Sequence, residues 1–190
     1  GEIKMLNKDS LTKEISQKSI YVENSGENIQ TDYIEVTLGD TIKVYDAPFL
    51  NTKSPTKTKT IKIPEEGLIL KPNELYIGRT NEYTKTYGFV PLLASPEELD
   101  AIGMKIHVTA GFGDNGFEGT WTLEIVCANP TIVYPNMVIG RIYYYPLIGG
   151  ASMEYRGKYF KQVEATASRL YKEYDEDIMT LKRSKKNVNK

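Results

Sequence analysis

Two runs of alternating apolar and polar residues, separated by a glycine-rich loop, constrain the fold of this chain most strongly. The runs are MKIHVTA (104–110) and FEGTWTLEIVC (117–127). Alternation with a period of two places every second side chain on one face of a strand. The residues predicted to face the core are Met104, Ile106, Val108, Ala110, Phe117, Trp121, Leu123, Ile125 and Cys127. The opposite face of the second strand carries Thr120, Thr122 and Glu124.

Shorter strand candidates, bounded by turn residues, fill much of the remaining chain. They lie in residues 29–40, 41–47, 53–67, 68–83 and 131–147. The lysine- and threonine-rich stretch 53–67 is a hairpin candidate with a solvated edge, and Pro72-Asn73 and Pro135-Asn136 are predicted turns. Many short strands at this spacing predict a mainly-β fold, a β-barrel or jelly roll.

Helical patterns occur near the two ends of the chain. Residues 8–19 predict a short amphipathic helix capped by Asp9 or Ser10, with Leu11 and Ile15 on one face. Residues 164–183 also have a helical pattern. The predicted architecture is therefore a distorted barrel with a short N-terminal helix and a C-terminal arm or helix.

Length and charge predict one domain with a basic tail. The chain has 190 residues, enough for a single domain with a substantial core, and we assign residues 1–181 to it. Residues 182–190 hold five of the 24 basic residues and no acidic residue. This tail is expected to be solvated and disordered, although basic tails also contact nucleic acids or membranes. The remainder carries 19 basic against 25 acidic residues.

The distribution of cysteine and apolar residues predicts a cytoplasmic protein. Cys127 is the only cysteine, so no internal disulfide can form, and a reducing compartment is expected. The sequence has no Cys/His cluster for structural zinc. No apolar stretch approaches the roughly 18 residues that a transmembrane helix needs, and the N-terminus has no secretory signal pattern.

Five segments, in order, resemble motifs of the deoxycytidine triphosphate (dCTP) deaminase family within the dUTPase-like superfamily. They are IQTDYIEVTLGD (29–40), EEGLILKPNELYIGRTNEY (65–83), HVTAGFGDNGFEGTWTLEI (107–125), YPNMVIGRIYYYPL (134–147) and GKYFKQVEATASRL (157–170). The third is the most specific, since the family motif reads HVTAGFIDPGFEGxxTLEL. The five together cover most of the chain and predict the family's fold.

The resemblance implies a homotrimer with active sites between subunits and a C-terminal arm that closes over a nucleotide. In that family no zinc is needed, and magnesium accompanies the triphosphate. A glutamate activates water for attack at C4 of cytosine, and it matches Glu124. Related dUTPases use an aspartate in the glycine loop against the α-phosphate, and it matches Asp114. The alternatives are that Glu124 merely faces solvent and that Asp114 is an ordinary turn residue.

Further candidate ligand contacts lie on the same strands and on the arm. His107 and Thr109 share a strand face that could line the pocket, and Gly111 permits close backbone approach to a ligand. Phe117 is a candidate for stacking on deoxyribose, with core packing as the alternative. The arm residues that match family positions near the nucleotide are Tyr155, Lys158, Tyr159 and Gln162. The arm could instead pack on a neighbouring subunit.

The chain departs from the family at its phosphate-binding segment. The family reads GRSSLARLG, whereas this chain reads SPEELDAIG (95–103). Pro96 and Ala101 replace arginines, and Glu97 and Glu98 replace serines. The segment also predicts a helix start with Ser95 as N-cap and Pro96 at the first helical position. A triphosphate carries about four negative charges, so it should bind poorly here unless cations come from a metal or another subunit.

The leading hypothesis is a dCTP deaminase-like hydrolase of pyrimidine deoxynucleotides, with Glu124 activating water. The alternatives are a nucleotide-binding or regulatory homotrimer without turnover, a dUTPase-type diphosphatase using Asp114, and an interaction protein that uses its lysine-rich hairpin and tail. The expected partners are a nucleotide and further copies of the chain. Neither a membrane nor a nucleic acid is expected.

Overall fold

The computed structural model describes residues 4–25, 29, 31–108, 113–149 and 161–172. Thirteen strands and two helices occur in this part of the chain. The strands are β1 Ile20–Val22, β2 Ile34–Thr37, β3 Thr41–Tyr45, β4 Thr58–Lys62, β5 Leu68–Leu70, β6 Tyr76–Arg79, β7 Thr84–Thr86, β8 Phe89–Ala94, β9 Met104–Val108, β10 Glu118–Gly119, β11 Thr122–Cys127, β12 Thr131–Val133 and β13 Val138–Pro146. The helices are α1 Lys8–Ser16 and α2 Glu97–Ala101. No helix within these ranges is long and apolar enough to cross a membrane.

The strands pair into four small sheets. The largest has five strands in the order β4-β3-β6-β11-β9. The others have the orders β1-β7-β10, β2-β13-β8 and β12-β5. Partners in all four sheets run antiparallel. The predicted mainly-β fold with an N-terminal helix is confirmed.

A single apolar core lies between these sheets, and α1 closes one side of it. Leu11 on α1 is fully buried, and every strand of the β2-β13-β8 sheet contributes a core residue. The alternation predicted for β9 and β11 is confirmed, because the inward residues Met104, Val108, Leu123, Ile125 and Cys127 are all buried in this core. Burial of that many large side chains supplies the main stabilisation of the fold.

The N-terminal helix is capped two or three residues earlier than predicted. Its N-cap is Asn7, whose side-chain oxygen accepts a hydrogen bond from the backbone N–H of Ser10 at 3.0 Å. The assignment of the cap to Asp9 or Ser10 was wrong because both residues already lie within the first turn. The apolar pair is confirmed, with Leu11 buried and Ile15 packed against the core.

The lysine-rich stretch 53–67 forms one strand, not a hairpin of its own. β4 pairs with β3, and their backbones also join between Asp46 and Lys57. β4 lies at the edge of the five-stranded sheet, which confirms the predicted solvated edge. Exposed lysines on an edge strand oppose further strand addition.

The second alternating run is divided between two sheets. β10 pairs with β7, whereas β11 pairs with β6 and β9. Thr120 and Thr122 point away from the core, as predicted, but they are not exposed to solvent. Both are buried because the C-terminal segment, residues 161–168, lies against them.

The C-terminal segment has no helix over residues 163–169, which corrects the predicted helix 164–183 over that stretch. Residues 173–183 lie outside the described part. Gln162 forms a parallel bridge with Gly119, and the backbone N–H of Thr166 donates to the hydroxyl of Thr122 at 3.2 Å. These tertiary contacts override the local helical pattern.

Both predicted Pro-Asn turns are present, but they join strands of different sheets. Asn73 and Asn136 have φ values of 59° and 63°, a conformation that asparagine tolerates better than most residues. The first turn connects β5 to β6, and the second connects β12 to β13. The turns were predictable locally, whereas the change of sheet depends on pairing partners far away in sequence.

Candidate active site

A carboxylate and an imidazole meet on the outer face of the five-stranded sheet. Glu124 on β11 pairs directly opposite His107 on the edge strand β9. The Glu124 Oε2 and His107 Nδ1 atoms lie 2.5 Å apart. The side chain of Glu124 is 30% exposed and that of His107 is 77% exposed. The arrangement places a half-buried proton acceptor beside a second titratable group and still within reach of a ligand.

The same row of the sheet continues under the C-terminal segment. Ile77 on β6 pairs with both Glu124 and Lys43 of β3. Ile77 is 2% exposed although it lies on the outer face. The Lys43 ammonium donates a hydrogen bond to the backbone oxygen of Ala165 at 2.8 Å, and Ala165 is buried. The segment therefore covers the sheet up to the neighbourhood of Glu124.

Gln162 fixes the position of this segment. Its side-chain amide donates to the backbone oxygen of Thr120 at 2.9 Å and to the hydroxyl of Thr122 at 3.2 Å. The backbone N–H of Thr120 in turn donates to the backbone oxygen of Gln162 at 2.9 Å. Thr122 lies two residues before Glu124 on the same strand face, so Gln162 links the arm to the strand of the candidate base.

Asp114 lies on a loop that is hydrogen-bonded to β7 and β8. The backbone N–H of Gly113 donates to the oxygen of Pro91 at 2.7 Å, and that of Gly116 donates to the oxygen of Thr86 at 2.7 Å. The Asp114 side chain is exposed. No hydrogen bond joins it to Glu124 within the described ranges, so the catalytic role of Asp114 stays a prediction.

The ring of Phe117 is buried in the core. Its centroid lies 5.1 Å from that of Trp121 at a tilted angle of 49°. This packing favours the core alternative, and contact with a sugar stays a prediction. The predicted ligand contacts at Thr109, Gly111, Tyr155, Lys158 and Tyr159 lie outside the described residues.

Glu118, at the start of β10, is a second buried acid near the loop. Its carboxylate accepts a short hydrogen bond from the Tyr87 hydroxyl and lies 3.6 Å from the Lys161 ammonium. The Tyr87 hydrogen bond, followed by the charges of Lys161 and Lys85, holds the pKa of Glu118 below its ordinary value despite burial. Glu118 therefore stays ionised at neutral pH and serves as an anchor for residue 161.

Comparison with known proteins identifies the family. A model of the dCTP deaminase-like family matches residues 5–147. This chain belongs to the dCTP deaminase-like family. A dUMP-forming dCTP deaminase of Clostridium beijerinckii is 40% identical over 171 residues, which cover 90% of this chain and 99% of the relative. The enzyme of the same name from Leptospira biflexa is 43% identical over 138 residues, or 73% of this chain and 79% of the relative.

A solved structure agrees with the family's fold. The 2'-deoxycytidine 5'-triphosphate deaminase of Agrobacterium tumefaciens superposes with a TM-score of 0.58 at 14% identity. The match covers 74% of this chain and 47% of that longer chain. It confirms the predicted dUTPase-like fold class for this member of the dCTP deaminase-like family.

Segment 95–103, which departs from the family motif, is held by an ion pair with Arg141. An Arg141 terminal nitrogen donates to a Glu98 carboxylate oxygen at 3.3 Å, and its Nε lies 3.5 Å from Glu35. The guanidinium also lies 4.9 Å from the ring centre of Tyr33 and is 18% exposed. The backbone N–H of Glu98 itself and then Arg141 hold the pKa of Glu98 below its ordinary value. Arg141 therefore neutralises the acid at position 98, which the family motif does not have.

The helix predicted from SPEELDAIG is present but is capped differently. α2 has Pro96 at its N-cap, and no side chain caps it. The Ser95 hydroxyl instead donates to the Asp100 carboxylate at 2.6 Å, which is why the predicted serine cap was wrong. Among the residues that the structure describes, no group of three or more His, Cys, Asp or Glu side chains is arranged to hold a metal ion.

Sequence reasoning missed the arginine and lysine contributions to this surface. Arg141 lies within a strand motif that gave no sign of its ion pair. Only a search for charge partners of the unusual acids at positions 97 and 98 could have indicated its role. Lys43 and Lys161 gave no sequence signal, because their contacts with Ala165 and Glu118 depend on how the C-terminal segment docks.

Proposed function

We propose that this member of the dCTP deaminase-like family deaminates a cytosine deoxynucleotide, with Glu124 as the general base. The observation that carries the proposal is the contact between the half-buried Glu124 carboxylate and His107 on the outer face of the sheet. The relatives support the proposal as well. Proteins about 40% identical to this chain over nearly their whole length have the name "dCTP deaminase, dUMP-forming".

The chemistry assigned to Glu124 is proton transfer during replacement of an amino group by oxygen. The Glu124 carboxylate takes one proton from water as the water oxygen bonds to C4 of cytosine, and this proton passes to N3. The proton of the new C4 hydroxyl is then transferred through Glu124 to the amino group. The C4–N bond breaks, ammonia leaves, and the C4 carbonyl of uracil forms. His107 is assigned a positioning role, because its contact at 2.5 Å fixes the Glu124 carboxylate in one orientation.

A second hydrolytic step is proposed at the glycine loop. Conversion of dCTP to dUMP, as the relatives' name states, requires loss of two phosphates as well as the amino group. Asp114 is exposed on its loop and is our candidate for taking a proton from water that attacks the α-phosphorus, with the bond to the β-phosphate breaking and diphosphate leaving. Magnesium is proposed to enter with the nucleotide phosphates, whose oxygens suit it. Zinc is assigned no part.

We also propose a cytoplasmic homotrimer as the active form. His107 lies on an edge strand and is 77% exposed within one chain, whereas a general base benefits from partial desolvation. A neighbouring subunit covering this edge would supply it. Sedimentation analysis tests the assembly, and a monomer at micromolar concentration would contradict it.

A nucleotide-binding protein without turnover is the second candidate. The observation in its favour is the acidic segment 97–100. Its Glu98 binds the Arg141 guanidinium, so the segment offers no free cation to a triphosphate.

The deciding experiment incubates the protein and its Glu124→Gln variant with magnesium and cytosine or uracil nucleotides at each phosphorylation level. Chromatography follows the products, and an ammonia assay follows deamination. Ammonia release by the parent chain and not by the variant is expected. Ligand-dependent thermal stabilisation without any turnover would favour the binding protein, and diphosphate release alone would favour the diphosphatase.

A further inference from the structure

A second cleft lies on the β1-β7-β10 sheet, away from the pair formed by Glu124 and His107. Its volume is about 860 Å³, within the roughly 300–1,000 Å³ of typical small-molecule sites. Its walls carry three lysines and three tyrosines, which are Lys18, Lys85, Lys161, Tyr21, Tyr83 and Tyr87. The cleft residues come from β1, β7, β10, their loops and the C-terminal segment.

The two carboxylates of the cleft are engaged by protein donors. Glu118 accepts a hydrogen bond from Tyr87 and pairs with Lys161. Glu23 accepts a hydrogen bond from the backbone N–H of Tyr83 at 3.2 Å. Each acid is therefore directed toward the protein, and only the Lys161 ammonium is neutralised at short range.

Two ammonium groups remain without an ion-pair partner. Among the residues that the structure describes, no carboxylate lies within 4.0 Å of the Lys18 or Lys85 ammonium. Lys85 influences Glu118 only through the longer-range charge effect on its pKa. Positive charge that no protein acid neutralises raises the local concentration of anions.

The aromatic residues add flat surfaces beside these charges. The Lys85 ammonium lies 5.9 Å from the centre of the Tyr83 ring. Tyr21 pairs with Lys85 across β1 and β7, and Lys85 pairs with Glu118 across β7 and β10. Tyr21 remains 45% exposed. Exposed tyrosine rings beside lysines suit a ligand that joins a planar ring to a phosphate.

We propose that this cleft binds a nucleotide through its phosphate groups, at a site separate from Glu124 and His107. Lys18 and Lys85 contact the phosphate oxygens, and a tyrosine ring stacks on the base. A lysine ammonium binds phosphate as a compact charge with three donors. The inference does not depend on deaminase activity.

Occupation of the cleft is coupled to the C-terminal segment. Lys161 and Val163 form part of the cleft wall, and Gln162 between them binds Thr120 and Thr122. A ligand that contacts residues 161 and 163 binds more tightly when the segment is docked than when it is not. Binding therefore stabilises the docked segment by that difference in affinity. A nucleotide bound in the cleft would thus stabilise the C-terminal segment against β11.

The test measures binding of inorganic tripolyphosphate and of AMP to the full chain by calorimetry at low salt. The key variant is the double substitution Lys18→Asn and Lys85→Ser. Asparagine is chosen because residue 18 has a φ of 62°, which asparagine tolerates. The matched control removes two exposed lysines elsewhere, Lys59→Ser on β4 and Lys105→Ser on β9.

We expect both probes to bind the parent chain and the control alike. The double variant should bind at least about tenfold more weakly, as loss of two charge-assisted contacts implies. Equal affinity in the double variant, or no binding to the parent chain, would overturn the proposal. Tighter binding of an acidic peptide than of either probe would overturn it too.

Hydrogen exchange supplies a second readout that does not use the lysine variants. AMP should slow exchange of the backbone N–H groups of Lys161 and Thr166, which donate to Glu118 and Thr122. Unchanged exchange at saturating AMP would contradict the coupling. Repeating the titration with Glu124→Gln separates the two proposals, because tripolyphosphate binding should persist whether or not the parent chain deaminates anything.

Discussion

The backbone oxygen of Gln162 lies 2.8 Å from the position that a β-carbon on Gly119 would occupy. Gly119 has a φ of +145°, which side-chain-bearing residues rarely adopt. The two residues form a parallel bridge. Glycine at position 119 therefore permits the C-terminal segment to lie directly against β10, and through Gln162 against the strand that carries Glu124.

Substitution of Gly119 by alanine should displace the C-terminal segment. The added carbon would meet backbone atoms, which cannot rotate away, so we expect a loss of about 1–3 kcal/mol in unfolding free energy. Exchange of the Thr120 N–H should become faster. Gly88→Ala is the control, since Gly88 has a φ of +80° but no atom within 4 Å of the added carbon. Equal effects of both substitutions would show that backbone strain alone is responsible.

Replacement of Glu124 by glutamine should abolish deamination and leave the fold intact. Removal of a positioned general base typically lowers the rate by about 10²–10⁴-fold. Ammonia release at saturating nucleotide measures the loss, and thermal unfolding checks the fold. Glu66→Gln, at an exposed turn, is the matched substitution and should keep full activity. An active Glu124→Gln protein would move the chemistry elsewhere.

His107→Leu should lower kcat about tenfold or more with little change in KM, because it removes the group that orients the Glu124 carboxylate. His107→Asn retains a donor near that carboxylate and should recover part of kcat. A rise in KM alone, with kcat unchanged, would indicate that His107 binds substrate and does not position Glu124.

Glu98→Gln should improve binding of a triphosphate by releasing Arg141. Glu97→Gln removes the same charge from the same short helix, but no ion pair joins Glu97 to Arg141 within the described ranges. Affinity measured for dCTP, dCMP and deoxycytidine should therefore rise with phosphate number more steeply in the first variant. Identical gains in both variants would mean that bulk charge, and not Arg141, limits phosphate binding.

Glu118 should make stability sensitive to acid. Its pKa in the folded chain lies below the ordinary value of 4.5, so below that value the unfolded chain takes up a proton first. Its stabilisation is therefore present at neutral pH and is lost as pH falls through the folded pKa. Urea unfolding should show Glu118→Gln less stable than the parent at pH 7, with a difference that shrinks toward pH 3. A constant difference would exclude this linkage.

The strands of the fold were predictable where alternation is long. The inward positions of β9 and β11 are all buried except Ile106, which is partly buried, as the sequence pattern indicated. Pairing partners were not predictable, because β11 lies between β6 and β9, and nothing local to residues 122–127 specifies those neighbours. The same limitation explains why β4 pairs with β3, whereas the sequence pattern predicted a hairpin within residues 53–67.

Local patterns failed where distant segments meet. The helical periodicity of residues 164–170 loses to hydrogen bonds with Thr122 and Tyr45. Burial of Thr120 and Thr122 has the same cause. At the candidate site, alternation placed His107 and Glu124 on outward faces of their strands, but their contact depends on register between strands, which the sequence does not display. The attachment of the Asp114 loop to Thr86 and Pro91 likewise joins residues far apart in sequence.

The attachment of the C-terminal segment also affects the order of events during protein synthesis. Ala165 and Ser168 bond to Lys43 and Tyr45, which precede them by 122 and 123 residues. A nascent chain can thus assemble its strands before the residues that cover Ile77 have left the ribosome. Until residues 165–168 have emerged, the Ile77 side chain beside Glu124 stays uncovered, and premature termination before them would leave it as a target for chaperones and proteases.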